Sequence, residues 1–379
     1  MKFEKGRSEF PTGAAPELES QKEMLPAVEV KNHVVWVNPD LDLPFDLKVG
    51  EPTKLGVFLS EPGRFSFLNF LAQKPKNLEA EVHHNRSILL GRVIFAEKEK
   101  SEGERQLFRD IDIKGSGYVE PVSDSDHPQR TIPSVGEIKL KKPAQDFFQR
   151  LRGLPPTNPE AIASYGILDL KDANQDYGFA EAFHEYGIRT HRVVAIIELD
   201  EIISDRKRLS IAKAKAKGLI DKSLTPVLEV RAFGTHARLM DITSGKNSKE
   251  KTELLLKDAQ ALVTQELGVE PSQFTKLEYA KWLSKVIGKN LALLHKHGYL
   301  HQYLGQGHNI TLDGCLVDFD SMKYLGENSP ESSDSFESEQ NDTRITLEVF
   351  LTMIDYDANS DIFKEIVQEY KTSYEENKR

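Results

Sequence analysis

The chain has 379 residues and a formal charge of −10, with 39% hydrophobic and 29% charged residues. Such a composition belongs to a globular chain long enough for more than one lobe, and its acidity argues against a general phosphate-binding surface for nucleic acid. A single cysteine, Cys315, excludes an internal disulfide and a four-cysteine zinc site, and fits a reducing, cytoplasmic setting.

Residues 1–26 are polar, carry scattered Pro and Gly, and lack the apolar core of a signal peptide. They read as a flexible arm. No run of about 18 apolar residues occurs, so no membrane span is expected. From Val28 to Arg109 the runs VVWV, LGVFL and SILLGRVIFAE are β-branched or aromatic and are broken by Pro, Gly and Asn, which predicts strands. The run DIDIKGSG, Asp110 to Gly117, alternates polar and apolar residues before a glycine turn and reads as a strand end. Residues 118–143 are rich in Pro, Ser and charge and read as a loop.

Beyond Pro143 the apolar spacing becomes three and four, predicting helices near 144–151, 172–186, 206–216, 249–266, 272–297, 344–357 and 360–377. Strand-like runs interrupt them at 191–199, 226–233 and 315–321. The basic stretch 206–218 has a thin apolar face and reads as a solvated helix. The stretch 326–342 is acidic, Ser-rich and almost without apolar residues, so a disordered loop is expected there. A β-rich first part followed by a helix-rich second part suits an α+β, bilobal fold of the protein-kinase type. The expected division is an N-terminal lobe over 27–200 and a helical C-terminal lobe over 201–379, with a ligand cleft between them.

Five groups of residues carry candidate chemistry. Asn309 and Asp318 stand nine residues apart, on either side of a short hairpin with Asp313-Gly314 at its turn. Both offer hard oxygen ligands for Mg²⁺ bound to nucleotide phosphates, and both would equally serve a surface hairpin. Lys114, on a strand beside a glycine turn, can neutralise phosphate as a point charge. Arg231 and Arg238, seven apart in VRAFGTHAR, carry the planar fork that suits phosphate. Asp176 and Glu181 lie on one predicted helix, about 500° apart around its axis, so one of them at most turns towards Lys114. Gly91 and Arg92 open the strand ILLGRVIF, where a glycine lets backbone approach a phosphate.

Taken in order, these pieces resemble the selenoprotein O (SelO) family of protein adenylyltransferases. DIDIKGSG is similar to the family's LKGxG-like strand end, AEAFHEYGIRTHRV to its SEAM helix and following LGIPTTRA, and RAFGTHARLM to its RVAxSHxRFG. Asn309 and Asp318 keep the family's metal-ligand spacing, and Gly91-Arg92 match the end of its first GDGR. The resemblance is discontinuous, from about residue 85 to 325. It implies a protein-kinase-like fold that binds ATP and Mg²⁺ (or Mn²⁺) and transfers AMP to Ser, Thr or Tyr hydroxyls of a protein. It gives phosphate contacts to Lys114, Arg92, Arg231 and Arg238, and makes Asp176 the partner of Lys114, with Glu181 in reserve.

Three departures accompany it. The family's general base, an Asp before the metal Asn, is His308 here, and the preceding loop is about five residues longer. A second GDGR is reduced to Tyr165-Gly166, and the C-terminal cysteine or selenocysteine motif of many members is missing. The same residues suit two other readings, a kinase-like phosphotransferase and an inactive ATP-binding pseudokinase scaffold.

Overall fold

The computed structural model describes residues 27–43, 46–59, 81–83, 87–95, 106–117, 167–204, 207–245, 247–319, 322–326 and 330–378. The expected arm at 1–26, loop at 118–143 and helix at 144–151, together with Tyr165-Gly166, lie outside the described residues. What is described is a mixed α+β structure around one antiparallel sheet. No helix among the described residues is long and apolar enough to cross a membrane.

Strand β1 (Ala27–Glu29) pairs with β3 (Val57–Leu59) in a small ribbon, while β2 (Asn32–Val37) between them enters the main sheet. The other strands of that sheet are β4 (Glu81–His83), β5 (Ser87–Phe95), β6 (Phe108–Lys114), β7 (Leu168–Asp169), β8 (Arg192–Leu199) and β11 (Pro226–Phe233). They run in the order β2-β8-β11-β6-β5-β4, with β7 beside β11. Because β8 and β11 are neighbours, the lobe boundary expected at residue 200 falls inside the sequence of the sheet, which continues to Phe233.

Alternation then sorts the side chains of the two central strands. Ile111 and Ile113 of β6, and Leu228, Val230 and Ala232 of β11, join an apolar core with β8, the ribbon β9 (Glu201–Ser204) and β10 (Lys207–Ser210), and Ala214 of the short helix that follows it. The polar residues of the same strands are left for the opposite face. That face receives helix α1 (Leu170–Glu185), whose buried residues Ala173, Asp176, Ala180 and Phe183 recur at three and four.

The helical part follows: α3 (Leu239–Thr243), α4 (Lys249–Leu267), α5 (Lys276–Lys296), α6 (Pro330–Met353) and α7 (Asp361–Lys378). Ser248 and Thr275 cap α4 and α5 by accepting the backbone N–H of Lys251 and Glu278. Helices α5 and α7 cross closely at Gly288, where a Cβ would stand 2.4 Å from the carbonyl oxygen of Tyr370.

Three expectations are corrected. Residues 207–216 are not one helix: Lys207–Ser210 is strand β10, and Ser210 caps α2 (Ile211–Ala216). Residues 315–319 form no strand, and Leu316 makes only isolated bridges to Thr190 and Ile310. The acidic stretch 326–342 is helical from Pro330, the first position of α6. Its buried residues Phe336, Glu339, Thr343, Leu347 and Phe350 fall at three- and four-residue steps, so one face is fastened even though most of the stretch is polar. Burying Phe336 contributes about 2 kcal/mol, and Glu339 adds the hydrogen bonds described below.

Candidate functional site

The polar face of the sheet is set by register. Strand β11 lies antiparallel to β6 with Glu229 opposite Lys114, Arg231 opposite Asp112 and Phe233 opposite Asp110. Asp110, Asp112, Lys114, Glu229 and Arg231 are all within 2% of full burial. Buried charges of this kind persist only when paired.

Lys114 is the hub. Its Nζ lies 2.7 Å from Asp318 Oδ1 and 3.4 Å from Asp176 Oδ2. Asp176 comes from α1 and Asp318 from the loop after Leu316, so two distant elements close on one cation. Asp318 adopts a left-handed φ of 69° and is 31% exposed, so it forms the open side of the cluster. Asp176 Oδ1 accepts the backbone N–H of Phe319 at 2.9 Å, which ties the helix to the residue after Asp318. Burial pushes the Asp176 carboxyl up, but Lys114, His191 and Arg231 outweigh it and hold Asp176 well below the usual carboxylate range.

The expected cradle of arginines is altered. Arg231 is 1% exposed, and its Nε and Nη2 donate to Asp112 at 2.9 and 2.6 Å. That two-pronged bond commits the guanidinium to Asp112 rather than to an open pocket. Arg238 instead reaches the loop of Asn309: its Nη1 donates to the His308 carbonyl and, at 3.3 Å, to Asn309 Oδ1. Burial and the charge of Arg231 lower Arg238 to about 10, so it is still a cation at neutral pH. Glu181 does not reach Lys114. Arg192 holds it in a fork, and Asn38 donates to it at 3.1 Å. Glu181 is therefore set aside as a partner of Lys114, as the helical angle between it and Asp176 requires. Gly91 and Arg92 stand on β5 at register with Ile111 and Asp110 of the lysine strand, and the role expected of the Arg92 side chain falls outside the described residues.

The loop before Asn309 is fixed from below. His301 is buried, and its Nε2 lies 2.9 Å from the Val317 carbonyl oxygen. Glu339 of α6 accepts the backbone N–H of His301 at 3.2 Å and of Gln302 at 2.5 Å, and contacts His295 Nε2 at 2.9 Å. The hairpin turn is held by Asp313, which accepts from Thr311 Oγ1 at 2.6 Å and Arg189 Nη2 at 3.0 Å. Gly234 leaves room for it, since a Cβ there would meet Asp313 Oδ2 at 2.1 Å. His308 is half-buried, and its Nδ1 has no hydrogen-bond partner. Burial and the nearby Arg238 charge lower its pKa, so the ring is neutral at pH 7.

Among the described residues no group of three or more His, Cys, Asp or Glu comes together to hold a metal ion. Asp318 and Asn309 supply one half-open carboxylate and one amide oxygen, and Lys114 already rests on that carboxylate as a cation. Each is a hard oxygen of the kind Mg²⁺ takes, although Asn309 is buried and its Oδ1 already accepts from Arg238.

Sequence reasoning passed over five residues that the structure puts to use: Asp112, His191, Glu229, His301 and Glu339. Asp112 was readable, because DIDIK places it on the face of Lys114. The others depend on cross-strand register or on α6 docking, neither of which has a local signal. No protein-family model matches the chain, and no curated protein matches it.

Proposed function

We propose that the chain is an ATP- and Mg²⁺-dependent transferase of protein-kinase-like, bilobal architecture, and that, as the SelO resemblance implies, it moves AMP to a protein hydroxyl. The observation that carries this reading is Lys114 Nζ between Asp176 of a helix and Asp318 of a loop, at 3.4 and 2.7 Å. A strand lysine, a helix acid that orients it and a loop Asp near an Asn are the parts that kinase-like phosphate chemistry needs.

In this reading ATP enters on the exposed side of Asp318, and Lys114 exchanges that carboxylate for a phosphate oxygen while Asp176 keeps its ammonium group in place. Arg238 holds the Asn309 loop and lends positive charge nearby. Bound by Asp318 and Asn309, Mg²⁺ would neutralise phosphate charge. The acceptor oxygen attacks the α-phosphorus, the bond to the β-phosphate oxygen breaks and pyrophosphate leaves. Neutral His308 takes the hydroxyl proton. Positioning and charge stabilisation supply most of the rate.

A second reading, an ATP-binding scaffold without transfer, draws on the absence of a carboxylate at position 308. Incubation with α-labelled or γ-labelled ATP and Mg²⁺ separates the possibilities. AMP transfer gives protein labelled from α-labelled ATP only, and Asp318→Ala abolishes it. Label from γ-labelled ATP only means phosphoryl transfer. Binding without label in either case means the scaffold, and no binding removes the nucleotide reading altogether.

A further inference from the structure

Glu229 occupies an improbable place for an acid. It sits at the middle of β11, opposite Lys114, and none of its surface is exposed. Neither carboxyl oxygen receives a hydrogen bond from a donor among the described residues. Its carboxyl lies against that of Asp176. Two carboxylates in contact repel, and both oxygens of an ionised Glu229 would be left buried and unpaired. A single proton removes both problems, because a carboxylic acid can donate to a carboxylate.

The geometry points to Glu229 as a permanently protonated positioning residue that donates its proton in a hydrogen bond to Asp176 and so fixes the carboxylate that orients Lys114.

The surrounding charges agree on which acid holds the proton. Lys114 of β6 and Arg231 of β11 stabilise the ionised form of Asp176. Around Glu229, burial dominates and the Asp176 charge adds to it, so its pKa rises well above the ordinary value despite Lys114 and Arg231. From β8 the residue opposite is Ile196, which brings no charge. His191 is itself lowered to about 4, chiefly by burial, so it is neutral and offers Glu229 no cation. With Glu229 neutral, Lys114 faces two carboxylates, Asp176 and Asp318, rather than three. That balance leaves the ammonium group able to leave Asp318 for another anion.

This inference stands on the buried contact and does not require the transfer reading, so its test needs no nucleotide. Glu229→Gln keeps the size and a donor but cannot ionise. Wild type and Glu229→Gln are unfolded in urea at several pH values between about pH 5 and pH 8. Glu229 in the unfolded chain ionises near its ordinary value, whereas the folded chain keeps the proton, so its contribution to wild-type stability falls as pH rises. The variant has no such term. Its urea midpoint is therefore expected to gain on wild type steadily across that range, and infrared spectra of wild type at pH 7 are expected to show a protonated-carboxyl stretch that the variant lacks. A midpoint difference that stays constant with pH, the lack of that stretch, or failure of Glu229→Gln to fold would each overturn the assignment.

Discussion

Removing the Asp176 carboxylate tests the hub most directly. Asp176→Ala takes away the acceptor of the Phe319 N–H, 2.9 Å away, and one of the two acids on Lys114. Stranding a buried N–H costs about 1–3 kcal/mol. Breaking one side of a buried ion pair costs about 3–5 kcal/mol, but Lys114 retains Asp318 at the shorter distance of 2.7 Å, which places this part at the low end. The variant should therefore lose roughly 4 kcal/mol, a large share of the ~5–15 kcal/mol typical of a folded domain. Asp176→Asn keeps an acceptor for Phe319 and should lose about half as much. The pH dependence has a definite sign. Asp176 titrates lower in the folded chain than in the unfolded one, where its value is near 3.8, so its contribution is complete above that value and fades as acid is added. Urea unfolding of both variants at pH 7, and of wild type against Asp176→Asn from about pH 5 down to about pH 2, measures these differences. A loss under about 0.5 kcal/mol for Asp176→Ala would show that the Lys114 cluster is not held as described.

Two further outcomes separate structural from chemical roles. Glu181→Ala should lower stability by about 3 kcal/mol, because it removes the fork partner of the buried Arg192 guanidinium, while the ATP dissociation constant stays unchanged; a weakened ATP affinity in calorimetry would return Glu181 to the site. For His308, whose ring is neutral at pH 7 because its pKa is lowered, the labelling rate should fall on acidification, at a pH below the ordinary histidine range, as the ring takes up a proton. His308→Ala should be roughly 10²-fold slower and should lose that acid limb, and an unchanged pH–rate profile in the variant would remove His308 as the base.

Much of the site was legible because its spacing is local. The alternation DIDIK sets Lys114 on the polar face, and the helical period allows only one of Asp176 and Glu181 to reach it; α1 turns Asp176 to Lys114 and Glu181 to Arg192. The bond of Arg231 was not legible because its counter-ion is chosen by register: nothing in VRAFGTHAR says that Asp112 stands directly across. The acidic stretch failed for a related reason. Composition weighs a segment against water, whereas Glu339 and Phe336 gain their partners from a loop and a helix distant in the sequence. In CLVDFDS, the apolar run reads as a strand, but its residues are buried in a backbone that turns through the left-handed Asp318 instead of extending.

One carboxylate joins the two ends of the candidate site's architecture. Because Glu339 receives the amides of His301 and Gln302, the ion-ligand loop borrows its rigidity from a helix whose first residue comes after that loop in the chain. During synthesis, then, the sheet and Lys114 emerge complete while the segment bearing Asn309 still lacks its anchor. Assembly of the pocket has to wait for the carboxy-terminal helices, so a truncated product retaining every proposed ligand would still have an unfastened loop.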